Sequence, residues 1–345
     1  MKGGIDMKIL GYVGNAAVVT EQDAKNLTHI HAAFGYLHRD GRITVDHLGG
    51  FTGQMAQIRQ WNPDIRIVLS IVNAPGETDA FTRCAASPEL RRATADSCAE
   101  MITEKGFDGV DYDWEYPCVP SNGIESSPDD KQNFTLLCRE TRRAVDRVGE
   151  GHIVSIAAGA DVYYVESVEL PELARILDYI CLMTYDLKCG FHALVGHHTN
   201  LFSSTGDYFR NSCDQALRLF HSAGVPKDQL LLGAAFYSRK WENVNDRNHG
   251  FLEWNRNGTG GYGPHYEELE QNYVNKNGYV RYWDDEAKAP WLFNGSTFLS
   301  YDDEESIRCK CAYVEKEQYG GIFYWQHEYD KSGRLLSIMH ECLAK

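Results

Sequence analysis

The sequence predicts an α/β fold, namely a (β/α)8 barrel with a small α+β insertion between the seventh strand and the helix that follows it. Eight strand-like segments alternate with helix-like stretches at even spacing over 345 residues, as in a barrel whose parallel strands are each followed by a helix. Three of these strands are predicted to end in Glu115, Asp186 and Trp325, and functional groups gather at that end of such barrels. An open doubly wound sheet is the alternative.

The eight predicted strands are mostly short apolar runs. Such runs are expected of parallel strands that are covered on both faces. The predicted strands span residues 8–14, 29–37, 66–72, 107–115, 152–159, 179–185, 229–237 and 321–326.

Amphipathic stretches between these runs predict the helices. In the clearest case, Ser87 is a candidate N-cap, Pro88 occupies the first helical position and Gly106 ends the helix. The predicted helices span residues 88–105, 128–148, 213–223, 303–318 and 332–342.

The interval between the seventh strand and the next barrel helix is about sixty residues, which is too long for an ordinary loop. It contains a helix-like segment, 265–276, and a hairpin-like segment, 279–293. We therefore predict a barrel made of residues 1–238 and 303–345, with residues 239–302 forming an insertion domain that builds one wall of the cleft.

Composition and charge exclude several classes of partner. A formal net charge of −15 argues against nucleic acid and anionic membranes, because both require basic patches. No apolar run approaches the ~20 residues of a membrane span. The first residues lack the apolar core of a signal peptide, so we expect a cytoplasmic location, with secretion after signal removal as the alternative. We also expect a monomer.

The cysteine and histidine patterns predict neither a metal site nor a cofactor. The ten cysteines are scattered and include no C-x-x-C pair. Because most lie in apolar segments, we expect buried, reduced thiols. The adjacent residues His197 and His198 are assigned to a loop surface, since neighbouring histidines rarely bind one ion together.

The segment GFDGVDYDWEYP carries the strongest chemical signal in the chain. It places Asp111, Asp113 and Glu115 at every second position, so on a strand they share one face at roughly 6 to 7 Å from their neighbours. Like charges at this spacing raise the pKa of at least one carboxyl, as a general acid requires. The spacing alone leaves three interpretations open: a catalytic row, a divalent-metal site and a solvated acidic edge.

Four motifs follow one another along the chain. They are D-x-x-D-x-D-x-E at Asp108, Asp111, Asp113 and Glu115, M-T-Y-D at Met183, Thr184, Tyr185 and Asp186, Y-x-R at Tyr237 and Arg239, and a tryptophan at Trp325. In this order they resemble the motifs of glycoside hydrolase family 18, the chitinase family. One departure lies in the third strand, where the family has S-x-G-G and this chain has Ser70 followed by Ile71, Val72 and Asn73.

The resemblance implies hydrolysis of β-1,4-linked N-acetylglucosamine chains, chitin or chito-oligosaccharides, by a retaining mechanism in which the substrate's acetamido group is the nucleophile. It implies that Glu115 acts as general acid and then base. Asp113 would hold the acetamido N–H, Asp111 would share a proton with Asp113, and Tyr185 would donate a hydrogen bond to the acetamido oxygen. No protein nucleophile, metal or cofactor is then required.

The resemblance also implies the residues that bind the sugar. Asp186 would bond the distorted ring, Trp325 would form the floor, and Tyr237 and Arg239 would contact the sugar or the acids, with Met183 beside them. Tyr12 and Phe34 are candidates for the cleft bottom, with core packing as the alternative, and parity assigns Asp108 a structural role. Two other functions are weighed: an endo-β-N-acetylglucosaminidase acting on N-glycans or peptidoglycan, and a chitinase-like lectin, against which the presence of Glu115 argues.

Overall fold

The computed structural model describes residues 7–121, 123–190, 192–255 and 260–344. In these ranges, eight parallel strands form a closed barrel, because the first strand pairs with both the second and the eighth. Closure confirms the predicted barrel over the open sheet. The barrel strands, first to eighth, are Lys8–Gly14, His29–Leu37, Arg66–Asn73, Gly109–Tyr112, Ile153–Gly159, Tyr179–Met183, Leu230–Ala235 and Gly321–Trp325. The short strand Ile43–Thr44 adds to the second strand.

Helices connect successive barrel strands. The helix Pro88–Thr103 begins as predicted, since the Ser87 hydroxyl accepts a hydrogen bond from the Leu90 N–H. The α-helices are Glu21–Asn26, Gly49–Thr52, Met55–Trp61, Ala80–Ala86, Pro88–Thr103, Asp130–Val148, Val162–Ser167, Leu170–Leu173, Cys213–Ser222, Tyr266–Asn272, Glu304–Glu317 and Arg334–Leu343. The 3-10 helices are Asp46–Leu48, Lys227–Gln229, Asn248–Gly250 and His327–Tyr329.

An antiparallel sheet lies between the seventh barrel strand and the helix Glu304–Glu317, where the insertion is predicted. The predicted hairpin is formed by its strands Val280–Asp284 and Ala289–Phe293. The first strand, Tyr237–Trp241, crosses the predicted boundary at residue 238, and the division into domains stays a prediction. In spatial order, the described strands are Gly261–His265, Tyr237–Trp241, Phe298–Ser300, Ala289–Phe293 and Val280–Asp284.

The barrel interior is filled by apolar and aromatic side chains, which lead up to the carboxyl ends of the strands. Leu10, Val68 and Phe323 lie in this interior cluster and are fully buried. Tyr185 and Trp325 pack against the same cluster and are partly exposed. The inner core therefore supports the floor of the cleft directly.

The fourth strand is shorter than predicted. Its ladder with the third strand ends at the pair Ile71 and Tyr112, and one further bond follows, from the Asp113 N–H to the Ile71 carbonyl at 2.9 Å. Glu115 therefore lies beyond the strand rather than at its last position. Asp186 likewise lies three residues beyond the sixth strand, which ends at Met183.

The thiol prediction and the histidine prediction have different outcomes. All ten cysteines lie in the described ranges and are free, six of them buried and four partly buried. The assignment of His197 and His198 to a loop surface is wrong, because both are buried. The His197 ring bonds Asp284 at 3.2 Å, and the His198 backbone N–H donates to Ser300 at 2.9 Å.

In the part of the chain that is described, no helix is long and apolar enough to cross a membrane.

Candidate active site

Asp111 is fully buried and surrounded by hydrogen-bond donors from neighbouring strands. Its Oδ2 accepts from the hydroxyls of Tyr12 at 3.0 Å and Ser70 at 2.8 Å, and its Oδ1 accepts from Ser155 at 2.7 Å. The Nδ1 of His31 lies 3.3 Å from Oδ2. Burial raises the pKa of Asp111, but His31 and the two serine hydroxyls outweigh burial and bring the pKa below its ordinary value. Asp111 is therefore ionised.

The pKa of Asp113 shifts in the opposite direction. Burial raises it well above the ordinary value, and the neighbouring carboxyls of Glu115 and Asp111 raise it further. Its Oδ1 is buried and has no hydrogen-bond partner among the described residues. Asp113 therefore holds a proton to higher pH than an ordinary aspartate and presents an acceptor oxygen that is not in use.

Glu115 is half-buried at the mouth of the barrel. Burial raises its pKa, a hydrogen bond from Tyr116 lowers it, and the charge of Asp186 raises it again, so that the net pKa lies above the ordinary value. A carboxyl of this kind stays protonated closer to neutral pH and can act as a general acid. The three acids thus differ in charge because their surroundings differ.

Asp186 is held by residues of the strand Tyr237–Trp241 in the antiparallel sheet. Its Oδ1 accepts from Tyr237 at 2.8 Å and from the Nε of Arg239 at 2.6 Å, and its Oδ2 accepts from an Nη of Arg239 at 2.5 Å. The guanidinium also lies 3.7 Å from the centre of the Tyr262 ring. Burial raises the pKa of Asp186, but the nearby His198 ring and the hydrogen bonds from Arg239 lower it well below the ordinary value. Asp186 is therefore a fixed carboxylate, and its side chain is 31% exposed.

Aromatic rings form the floor beside the acids. Trp325 ends the eighth strand, as predicted, and stacks on Phe34 with ring centres 5.5 Å apart. Tyr12, whose hydroxyl bonds Asp111, lies 5.8 Å from Trp325. Phe34 and Trp325 keep part of their surface exposed, whereas Tyr12 is buried. Tyr12 thus supports the acidic row from below, and the other two rings face the cleft.

Tyr185 lies near both the acidic row and Asp186. The centre of its ring is 6.0 Å from the centre of the Tyr237 ring. Burial raises the pKa of Tyr185 well above the ordinary value, and the charges of Asp113 and Glu115 add to this, so the hydroxyl stays protonated as a donor. Met183, at the end of the sixth strand, packs against the same interior cluster.

Asp108 lies apart from this group, at the amino end of the fourth strand. It accepts the Ile67 N–H at 2.7 Å and pairs with Arg59 at 3.0 Å, which is a structural role. In the third strand, where the glycine pair is replaced, Asn73 accepts the Phe81 N–H at 2.9 Å and so caps the following helix segment. The substitution therefore gains a local hydrogen bond next to the cleft.

The structure brings the predicted site residues together and adds three that the sequence analysis did not name as site residues, namely His31, Ser155 and Tyr116. Tyr116 directly follows Glu115 in the acidic segment. His31 and Ser155 lie on predicted strands at positions whose parity turns them inward. His198, which was assigned to a loop surface, lies beside Asp186, and Tyr262 lies against Arg239. In the described ranges, no group of three or more His, Cys, Asp or Glu residues is arranged to hold a metal ion.

Comparisons with known proteins show which sequences and folds this chain resembles. An N-acetylglucosaminidase of glycoside hydrolase family 18 from Paenibacillus barengoltzii has a solved structure that superposes with a TM-score of 0.93 at 46% identity, covering 98% of this chain and 100% of that one. Chitinase A1 of Niallia circulans is 34% identical over 84% of this chain and 44% of its own length. A probable endochitinase of Caenorhabditis elegans is 30% identical over 92% of this chain and 54% of its own length.

The chain spans about half the length of the last two relatives. The sequence profile of the glycosyl hydrolases family 18 matches residues 8–330, which include the motifs at Glu115 and Asp186, the antiparallel sheet and Trp325. The predicted resemblance is confirmed, and the chain belongs to glycosyl hydrolase family 18.

Proposed function

We propose that this protein is a chitinase-type glycosidase that cleaves β-1,4-linked N-acetylglucosamine chains by retaining, substrate-assisted hydrolysis. The observation that carries the proposal is that the three acids of one row have different surroundings. Asp111 is buried under hydroxyl donors, Asp113 keeps a buried acceptor oxygen without a partner among the described residues, and Glu115 lies half-buried at the cleft mouth. These surroundings lower the pKa of Asp111 and raise the pKa of Asp113 and of Glu115.

Glu115 is the proposed general acid. It is the member of the row with the most open position, and its raised pKa keeps a proton available near neutral pH. After the leaving sugar departs, the same carboxylate accepts a proton from the attacking water.

The remaining carboxyls are poor candidates for a protein nucleophile. Asp111 is buried under hydroxyl donors, and Asp113 is protonated. Both oxygens of Asp186 are engaged by Arg239. A retaining mechanism then needs a nucleophile from the substrate, and the acetamido oxygen of N-acetylglucosamine is suitably placed on the sugar next to the anomeric carbon.

Asp113 and Tyr185 are the proposed ligands of that acetamido group. The unpartnered Oδ1 of Asp113 can accept the acetamido N–H, which would relieve a buried acceptor of its unmet hydrogen bond. The protonated hydroxyl of Tyr185 can donate to the carbonyl oxygen and fix its direction of attack. Trp325 and Phe34 offer the apolar face for the ring above them, with Asp186 at its edge.

The test is a time course on chitohexaose that records product sizes and the anomer of the first product. We expect the β-anomer first. Glu115→Gln should lose several orders of magnitude in kcat/KM, because the proton donor is removed with little change of shape. Glu166→Gln, the same change at an exposed residue, is the matched control and should match the parent.

Three results would overturn the proposal. An initial α-product would rule out the acetamido mechanism, and near-parental turnover by Glu115→Gln would remove Glu115 from the acid role. Equal rates on glycans that lack N-acetyl groups would also contradict substrate assistance.

The second candidate is an N-acetylglucosaminidase, favoured by the 46% identity with the Paenibacillus barengoltzii protein over the full length of both chains. The same time course separates the two, since single N-acetylglucosamine units as the first product from chitohexaose would support it. The monomeric state and the cytoplasmic location stay predictions.

A further inference from the structure

A buried histidine below the acidic row has no role in the proposed mechanism. His31 lies on the second barrel strand and is fully buried inside the barrel. Its Nδ1 lies 3.3 Å from Asp111 Oδ2, without the alignment of a hydrogen bond, and has no other partner in the described ranges. Such an atom is costly to bury unless it interacts with a charge.

The other ring nitrogen of His31 faces a group that adapts to it. His31 Nε2 lies 2.8 Å from the Tyr179 hydroxyl, which can either donate or accept a hydrogen bond. Because an ionised Asp111 can only accept, the favourable arrangement places a proton on His31 Nδ1, facing Asp111.

We propose that His31 is a positioning residue that holds Asp111 as the ionised member of the acidic row, so that the proton of the Asp111 and Asp113 pair stays on Asp113. The effect of His31 on catalysis rests on the proposed function. The effect of His31 on the charge of Asp111, which is the electrostatic part, does not.

Among the described histidines, His31 is the one in contact with Asp111. Tyr12 touches the His31 ring edge-on at 4.8 Å, but its raised pKa keeps it neutral. Burial lowers the pKa of His29, on the same strand, to about 3, so it is neutral as well. The titratable and charged groups around this pair are Lys8 and Tyr12 on the first strand, His29 on the second, Arg66 on the third, Asp113 on the fourth, and Tyr179 and Cys181 on the sixth.

The experiment follows the titration of Asp111 itself. In protein carrying ¹³C-carboxyl aspartate, with the signal assigned by Asp111→Asn, we expect the Asp111 of the parent to titrate below the ordinary range of an aspartate. In His31→Leu the Asp111 pKa should rise by one unit or more. In His29→Leu, the matched control on the same strand, the signal should follow the parent.

The acid limb of kcat/KM for an aryl N,N′-diacetylchitobioside should move with that titration. Activity that requires ionised Asp111 is lost as pH falls through its pKa, so a higher pKa shifts the loss to higher pH. A shift of one unit makes His31→Leu about tenfold slower than the parent at a pH below both limbs.

Each outcome decides one part of the inference. An unchanged Asp111 titration in His31→Leu overturns it, and so does a shifted titration with an unshifted acid limb. If the parent cleaves no N-acetylated substrate, the proposed function fails, and the carboxyl titration still tests the electrostatic part. If His31→Leu does not fold, ¹⁵N-histidine spectra of the parent decide, because a proton on Nδ1 supports the inference and a bare Nδ1 overturns it.

Discussion

Removal of Arg239 should destabilise the protein far more than removal of its neighbour on the same strand. The guanidinium is 9% exposed and makes both of its short bonds to Asp186, at 2.6 and 2.5 Å. Taking one partner from a buried pair costs about 3–5 kcal/mol. Because the Asp186 side chain keeps 31% exposure to water, we expect about 2–4 kcal/mol for Arg239→Ala.

Urea unfolding measures this loss as a drop in the free energy of unfolding at unchanged slope. Arg239→Lys should recover part of it, since lysine keeps the charge without the two-pronged fork. Lys240→Ala is the matched control, because Lys240 pairs with the exposed Glu242. Equal losses in Arg239→Ala and Lys240→Ala would refute the argument.

The loss should also depend on pH in a defined direction. Burial raises the pKa of Asp186, but His198 and Arg239 lower it below the ordinary value. A lowered pKa contributes stability that is present above the unfolded value, about 3.9, and lost as pH falls through the folded value. The gap between the parent and Arg239→Ala should therefore narrow below about pH 4.

Three further predictions concern other parts of the chain. Lys310→Met should cost about 3–5 kcal/mol in urea unfolding, since it leaves Asp302, buried and bonded at 2.5 Å, without its cation. Tyr116→Phe should move the basic limb of kcat/KM to higher pH. Tyr116 lowers the pKa of Glu115, so its removal raises that pKa, and the proposed general acid stays protonated to higher pH. An unmoved limb would contradict this. Ellman's reagent should count ten thiols after unfolding without reductant, and fewer before it, because six are buried.

The barrel itself was predictable because its strands are apolar runs bounded by turn residues. The first two strands, 8–14 and 29–37, have the predicted bounds. The fourth was predicted too long because alternation of acids with Val110, Tyr112 and Trp114 continues after the ladder has ended. A period of two reports which face a side chain takes, and it does not report where hydrogen bonding between strands stops.

The burial of the two adjacent histidines was not predictable from their neighbours in sequence. The His197 ring bonds the Asp284 carboxylate, and the His198 backbone N–H donates to the Ser300 hydroxyl. Both partners lie in the antiparallel sheet that follows later in the chain. The sequence separations are 87 and 102 residues. A local composition of polar loop residues carries no information about such a contact.

The charge of Asp111 shows most clearly what closure adds to the sequence pattern. The pattern places three like acids in a row and requires that one of them keep a proton, but it does not say which. The barrel decides, because Tyr12, His31, Ser70 and Ser155 reach Asp111 from the first, second, third and fifth strands. Asp113 has no such donors in the described ranges, so burial and the neighbouring carboxyls raise its pKa. A closed ring of strands thus gives adjacent carboxyls different pKa values, and the acid catalysis that we propose at Glu115 requires such a difference.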